Sequence, residues 1–295
     1  MLNSEVIAMA KAHLQTARHF PYPPGLTVDT VWQHNQQKIL RSLDSFKECA
    51  NTIQRANGLP FNHRTNVIPD LVEWKMEMLH GAFPGFNLAD SPYFEHPDAV
   101  PQSLDQWHGY KLSNIFPWHL YPVLACRKYL CAKPRRVLEI GGGGGELARL
   151  WHMADPSLQY IDIDLPESLF YAEVFLRWNL SEANIQYITD VRQDIGGADI
   201  VLCPAQLATA IPWGHVDIAI NQGSMQEMPA ETVDYWLRWL EVTDVDTFYS
   251  VNYAETPLCR AQTWELLRRI ECPPVLTLDS GVDLEQGWRI RRPLA

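Results

Sequence analysis

The sequence predicts an α/β fold: a parallel sheet carrying helices, preceded by a helical N-terminal region. Three observations carry that prediction. From Arg135 onward, short β-branched and aliphatic runs alternate with helix-length segments, the pattern of strands joined by crossover helices. The first of these runs, Val137-Leu-Glu-Ile140, collapses into five consecutive glycines and then into the helix-forming Glu146-Leu-Ala-Arg-Leu150. The first ~130 residues read instead as helices and loops.

In chain order, Val31 to Asn57 carries apolar side chains at helical spacing (Val31, Ile39, Leu40, Leu43, Phe46) and stops at Gly58-Leu-Pro60, a terminus followed by a breaker. Asp70 to His80, closed by Gly81, is a second helix. Pro, Gly, Asn and Asp crowd Gly81 to Pro101, which reads as a long irregular connection. Tyr121 to Leu130 is read as the helix leading into the sheet, with Pro122 in its first turn. Strand one is Val137 to Ile140, followed by a helix from Glu146 to Ala154. Strand two is Tyr160 to Ile163, followed by a helix from Glu167 to Leu180. Asp199 to Cys203 is expected as strand three, with the extended segment Asn184 to Thr189 competing for that position. Val216 to Ile220 is strand four, Glu231 to Glu241 an amphipathic helix, and Thr247 to Val251 strand five. Pro274 to Leu278 and Trp288 to Ile290 supply a closing pair. Residues 1–130 are thus expected to form a helical cap that covers the substrate, and residues 131–295 the sheet domain.

The glycine run is the richest segment chemically. Glycines serve where the backbone must take positive φ or approach a bound molecule closely, and the N-terminal amides of the following helix then face an anionic group. In E-x-G-x-G-x-G, formed by Glu139, Gly141, Gly143 and Gly145, a carboxylate stands at the strand end, where it suits an ammonium group and disfavours a pyrophosphate. A dinucleotide fingerprint is also satisfied in one register by Gly143, Gly145 and Ala148, and a purely structural turn is the third reading. Asp164 follows Gly145 by 19 residues, a separation that fits one helix and a return strand and would set its carboxylate beside the glycine loop to accept ribose hydroxyls. Asp162 is its rival, expected on the opposite face of the strand; Asp164 is preferred because Pro166 then opens the next helix.

The acid-flanked glycines resemble motif I of the class I S-adenosylmethionine (SAM) methyltransferases, which implies a Rossmann-like sheet and SAM as cofactor. Further pieces occur in order: Asp164-Leu-Pro-Glu167, Asp199-Ile-Val-Leu-Cys-Pro-Ala-Gln206, Val216-Asp-Ile-Ala-Ile-Asn-Gln-Gly-Ser-Met-Gln-Glu-Met228 and Phe248-Tyr-Ser-Val-Asn252. Together they resemble the sugar O-methyltransferase family of bacterial glycan clusters over roughly Tyr121 to Asn252. That resemblance implies methyl transfer to a hydroxyl of a sugar or sugar-containing metabolite. Another small molecule or a peptide as acceptor, an NAD-dependent oxidoreductase, and a catalytically silent SAM-binding subunit are the alternatives.

Cofactor contacts are accordingly expected from Glu139, Gly141, Gly143, Gly145, Asp164, Leu165, Gln206 and Asn221. Gln206 offers an amide donor and acceptor to an adenine edge, a role that passes to Asp190 if Asn184 to Thr189 is the true third strand. Asn221, Ser224 and Glu227 follow strand four and share one face of a helical turn, although Ser224 and Glu227 also form a capping-box pattern. Methyl transfer needs an aligned nucleophile and a base. Of ten histidines, His119 stands just before the cofactor strand and is the first choice, with His108 and His215 next; Glu227 could serve if partly buried. Trp107, Tyr110, Trp118, Ser224 and Asn252 are the acceptor-side candidates, aromatic faces being suited to pyranose rings. Trp236 and Trp239 are read as packing.

Composition excludes several classes. With 35 Asp and Glu against 24 Lys and Arg, the net charge of -11 repels phosphate backbones and acidic membrane surfaces. No apolar run approaches the ~20 residues of a membrane helix, and no basic region leads into an apolar core at the start, so a cytoplasmic location is expected. The partner expected is a small-molecule or glycan acceptor, not nucleic acid or membrane, and a homo-oligomer is compatible with the sequence. Six scattered cysteines, Cys49, Cys126, Cys131, Cys203, Cys259 and Cys272, lack metal spacing and read as reduced, mostly buried thiols, and no metal site is expected.

Overall fold

The computed structural model describes residues 4–28, 33, 69–90, 104–107, 110–113, 116–253, 277–279 and 283–289. Its helices are α1 (Ser4–Ala17), α2 (Pro69–Ala82), α3 (Phe116–Ala125), α4 (Glu146–Ala154), α5 (Pro166–Asn179) and α6 (Ala230–Val242). The strands are β1 (Leu104–Trp107), β2 (Tyr110–Ser113), β3 (Arg136–Ile140), β4 (Gln159–Asp164), β5 (Ile185–Tyr187), β6 (Ile200–Pro204), β7 (Val216–Gln222), β8 (Val245–Tyr253), β9 (Thr277–Asp279) and β10 (Asp283–Arg289). Apart from Gln33, helix Val31 to Asn57 of the sequence reading lies outside the described residues.

Six strands run parallel in the order β5-β6-β4-β3-β7-β8, and β10 then β9 continue the sheet antiparallel. Both faces are covered, which is why β3, β4 and β6 are buried along nearly their whole length rather than at alternate residues. Val137, Tyr160, Leu202, Ile218 and Tyr249 face a core shared with α1, α3, α4 and α5. Leu138, Ile140, Ile161, Ile163 and Val201 face the opposite core, closed by Trp236, Leu237 and Leu240 of α6. Trp236 is buried and Trp239 packs against this second core, so both tryptophans serve packing as expected.

Chain order runs outward from β3 through β4 to the β5–β6 edge, then returns to β7 on the other side of β3. That reversal opens a crevice at the C-terminal ends of β3 and β7, where ligands sit in open α/β sheets. Of the two competitors for third strand, Ile200–Pro204 pairs with β4, and Ile185–Tyr187 pairs with it as the outer edge.

Two features differ from expectation. Leu104–Trp107 and Tyr110–Ser113 form an antiparallel pair inside the region read as helices and loops. Helix α3 begins at Phe116, five residues before Tyr121, because Pro117 takes the first turn and Pro122 lies inside the helix. Pro122 has no N–H to give to the carbonyl of Trp118, four residues earlier; Gln222 Nε2, at the end of β7, donates to that oxygen instead at 2.8 Å. Helix α3 runs on into a single π turn, Cys126–Leu130, closed by Cys131 N–H on Cys126 O at 2.9 Å.

Helix α1 joins the first core. Ala10, Leu14 and Ala17 are buried, and the helix packs on α5. His13 Nδ1 lies 2.9 and 3.1 Å from the two oxygens of Glu173, a side chain with no solvent exposure. Arg177 completes that cluster, and the His13 ring stacks on Tyr187 at 4.8 Å. Cys126 and Cys203 are buried and Cys131 is half-buried, in line with mostly buried thiols; Cys49, Cys259 and Cys272 lie outside the described residues. Among the described residues no helix is long and apolar enough to cross a membrane.

Candidate functional site

Strand β3 delivers the chain into a bend in which Gly141, Gly143 and Gly145 have φ of 83°, 60° and 86°. Each occupies the left-handed region that side chains disfavour, so the glycine spacing of the sequence is a backbone requirement. What surrounds each glycine differs. A Cβ on Gly141 would overlap the Ser224 side chain, and one on Gly142 would overlap the Asp162 carboxylate. A Cβ on Gly145 would press on Leu176 and Ala172 of α5. Gly143 has open space around it, which leaves room for a ligand.

Three carboxyl groups line the face of the sheet beneath this bend. Glu139 and Asp162 are register partners on β3 and β4, and Asp164 ends β4. Asp162 and Asp164 therefore share one face, together with Tyr160. The expectation that Asp162 faces the other way is corrected: positions two apart on a strand point to the same side. Gly143 N–H donates to Asp164 Oδ2 at 2.7 Å and Leu165 N–H to Oδ1 at 2.6 Å, so this carboxylate ties the bend to the start of α5. Burial raises its pKa to about 6, against the pull of those two N–H groups and Ser168.

Glu139 is buried and accepts the Tyr160 hydroxyl at 2.6 Å. Burial lifts its pKa to about 8, opposed by the Tyr160 hydrogen bond and reinforced by Asp164. Asp162 has no solvent exposure, and neither oxygen finds a partner with hydrogen-bond geometry. Burial, then Glu139 and Asp164, push its pKa well above the carboxylate range; the Gly142 N–H pulls the other way but is not aligned as a hydrogen bond. Gln206, two residues beyond β6, is buried with its Oε1 unpartnered, while the neighbouring Ala205 N–H donates to Asp164 O at 2.9 Å. An acceptor is thus left over beside the strand that ends in Asp164. Asp190, the alternative, is bound by Arg192 at the surface and sits beyond the outer edge strand.

On the β7 side the polar residues meet one another. Asn221 is fully buried; its Nδ2 donates to Ile140 O at 2.7 Å and to Ser224 Oγ at 2.5 Å, and its Oδ1 accepts from Met225 N and Asn252 Nδ2. Ser224 Oγ also donates to Ile140 O at 3.0 Å, and Asn252 Oδ1 accepts Gln226 N–H at 3.1 Å. This network laces the ends of β3, β7 and β8 together behind Gly141. Ser224 precedes the 3-10 turn Met225–Glu227, yet its side chain makes no capping bond, so the capping box expected from Ser224 and Glu227 is not formed. Glu227 is exposed, which removes the partial burial that its role as a base required.

His119 lies on α3 with Nδ1 buried and unpartnered. Burial first, then the positive charges of Lys75 and Arg149, lower its pKa to about 3, so the ring is neutral at ordinary pH. Arg149 is itself held by Glu146 in a buried two-pronged pair at 2.6 and 2.7 Å. Trp118, beside His119, is partly buried against the first core. Trp107 and Tyr110 are register partners on β1 and β2, and His108 lies outside the described residues. His215 stands at the opposite edge of the sheet, at the start of β7, where it faces Asp217, Asp244 and Asp246. Ligand atoms of His215, Asp217 and Asp246 lie within 4.8 Å of one another, a grouping the spacing of the sequence does not announce.

The sequence reading missed Tyr160, Gln222 and the Glu146–Arg149 pair. Gln222 had a signal: on β7 it falls two residues after Ile220, on the face that carries Glu139, and it follows Asn221 directly. Its Oε1 is buried without a partner while its Nε2 holds the Trp118 carbonyl.

Six parallel strands, an antiparallel strand against the last of them, and an acid-flanked glycine bend define the class: an α/β protein with a Rossmann-like sheet, an N-terminal helix packed on it. No family model matches the sequence, and no curated protein matches it. Among solved structures the chain is similar to the N-terminal domain of EvdMO1 with SAH bound, at 14% identity over 68% of this chain and 99% of that one, with a TM-score of 0.45. It is similar to the pyocyanin biosynthetic protein PhzM at 15% identity, over 60% of this chain and 56% of that one, with a TM-score of 0.42. An rRNA methylase from Escherichia coli is similar at 14% identity over 86% and 99% of the two chains, with a TM-score of 0.43. Each is a likeness and no more.

Proposed function

We propose that the protein is a SAM-dependent O-methyltransferase, with a hydroxyl of a sugar or sugar-containing metabolite as acceptor. The observation that carries the reading is the glycine bend set against Glu139, Asp162 and Asp164 on one face of the sheet. A dinucleotide would bring a pyrophosphate to a pocket already lined with carboxyl groups. A donor with an ammonium, a sulfonium and a ribose brings what those groups attract. The residues fit such a donor: Gly143 leaves room, Asp164 offers a carboxylate beside the bend to ribose hydroxyls, and Gln206 Oε1 is an acceptor in want of an N–H. The donor supplies an activated methyl group; the chain must supply orientation and a place for the acceptor proton. His119, whose Nδ1 is unpartnered, is assigned that place, against the burial and the Lys75 and Arg149 charges that disfavour its protonation. Gln222 positions it by fixing the Trp118 carbonyl on the adjacent residue. The sugar is supported by the sequence resemblance alone.

Calorimetry with SAM and with NAD separates the donor classes: SAM should bind and NAD should not. Formation of S-adenosylhomocysteine (SAH) from SAM with a panel of nucleotide sugars and glycans tests the acceptor. His119→Asn should lower turnover by about 10²–10⁴-fold while SAM affinity is kept. Turnover unchanged in that variant would remove His119 from the mechanism.

A further inference from the structure

The three carboxyl groups beneath the glycine bend are more than a ribose contact requires. Asp164 has N–H partners and Glu139 has the Tyr160 hydroxyl, whereas Asp162 is wholly buried with both oxygens unpartnered. No cation pairs with any of the three among the described residues. Cations on or beside the helices that cover this face pair with other acids: Arg149 of α4 with Glu146, His13 of α1 and Arg177 of α5 with Glu173, and Arg18, just after α1, with Glu167. The other groups that interact with the cluster include Tyr160 from β4, Cys203 from β6, Tyr187 from β5, and Glu167 and Ser168 from α5, none of them a source of positive charge. A second observation points to a ligand from the neighbouring strand, the buried and unpartnered Oε1 of Gln206.

Carboxyl groups so placed cannot all be ionised without a countercharge, since neighbouring like charges in a buried site hold at least one in the acid form. We propose that Glu139, Asp162 and Asp164 act as one charge-reading site, giving up a proton when the donor's positive charge arrives, so that the sulfonium donor is held in preference to its neutral thioether product. The exchange is balanced: a carboxyl O–H ionises, its proton passes to solvent, and the incoming cation replaces that positive charge with no bond of the donor made or broken. Asp162 is the positioning residue in this device, because it lies against Gly142 and therefore under the bend that would bear the donor. Product release follows from the same charge difference. Methyl transfer removes the sulfonium charge and the cluster takes back its proton. This inference rests on the cofactor reading above.

The test is titration calorimetry of the full chain with SAM and with SAH, in phosphate and in Tris, between pH 6.5 and 8.5. Binding enthalpies in the two buffers give the protons exchanged. SAM should release roughly half to one proton per site near pH 7, SAH fewer, and the preference for SAM over SAH should grow about tenfold across the range. Asp162→Asn should cut the proton release and flatten that preference. SAM binding with no proton exchange, or proton release as large for SAH as for SAM, would overturn the proposal even if Asp162→Asn fails to fold. Wild-type release persisting in a folded Asp162→Asn would remove Asp162 from it. No binding of either compound would instead sink the cofactor reading and this proposal with it.

Discussion

At the N-terminal edge of the sheet, Asp217 Oδ2 accepts the backbone N–H groups of both Arg135 and Arg136, each at 2.9 Å. The Arg136 side chain spans from Gln159 to the carbonyls of Trp213 and His215, and His215 is flanked by Asp244 and Asp246. At the C-terminal edge, Asp162 is unpartnered and the oxygens of Gln206 and Gln222 are left over. The same residue types are thus committed to structure at one edge and held in reserve at the other. Buried polar groups are normally paired, so a concentration of unpaired ones marks where a partner is to come from outside the chain. The difference also explains why acid groups at one edge stabilise the fold while those at the other tax it.

The largest test of this contrast is Asp164→Ala. It should weaken SAM binding by more than about 100-fold, roughly 2.7 kcal/mol, with the far-ultraviolet circular dichroism preserved. Unchanged affinity in calorimetry would break the assignment. At the opposite edge, Asp217→Ala strips two backbone N–H groups of their acceptor and should cost about 1–3 kcal/mol in denaturant unfolding, with SAM affinity unaltered. Should it instead impair binding, the two edges are not separable as argued.

A third test uses pH. His119, lowered to about 3, refuses a proton that the unfolded chain accepts below 6.5, so its contribution to stability is full above 6.5 and is lost as pH falls toward 3. Glu139, raised to about 8, keeps a proton that the unfolded chain loses above 4.5, so its contribution is full below 4.5 and is lost as pH rises through 8. The melting temperature of the ligand-free protein should fall on both sides by about 3 °C or more. His119→Asn should flatten the acid limb and Glu139→Gln the alkaline one; limbs that stay steep in both variants contradict the assignments. The smallest effect is expected from Glu227→Gln. This carboxylate lies near the same edge but is exposed, and the rate of SAH formation should stay within about twofold of wild type.

The sheet was legible in the sequence because parallel strands buried on both faces leave compact apolar runs bounded by glycine, proline and acid groups, as at Val137 to Ile140 and Tyr160 to Ile163. The glycine spacing was legible because positive φ constrains residue type locally. Placement of α3 was not: Pro122 offered a first-turn position, and only the tertiary contact from Gln222 shows how an interior proline is accommodated there. Neither was the β1–β2 pair, whose four-residue strands give too short an alternation to register among loops. For the site, Glu139 and Asp164 could be read from spacing. The unpartnered state of Asp162 and Gln206, and the mutual satisfaction of Asn221, Ser224 and Asn252, depend on which groups the fold brings within hydrogen-bond reach, and sequence spacing does not encode that distance.

Helix α1 docks on α5 with His13 over the Glu173 carboxylate. A shortened product lacking the first seventeen residues would expose an apolar helix face and leave that acid facing Arg177 alone. Such a truncate should aggregate or fall to quality-control proteases, so expression plasmids trimmed to begin near the sheet are a poor route to active material.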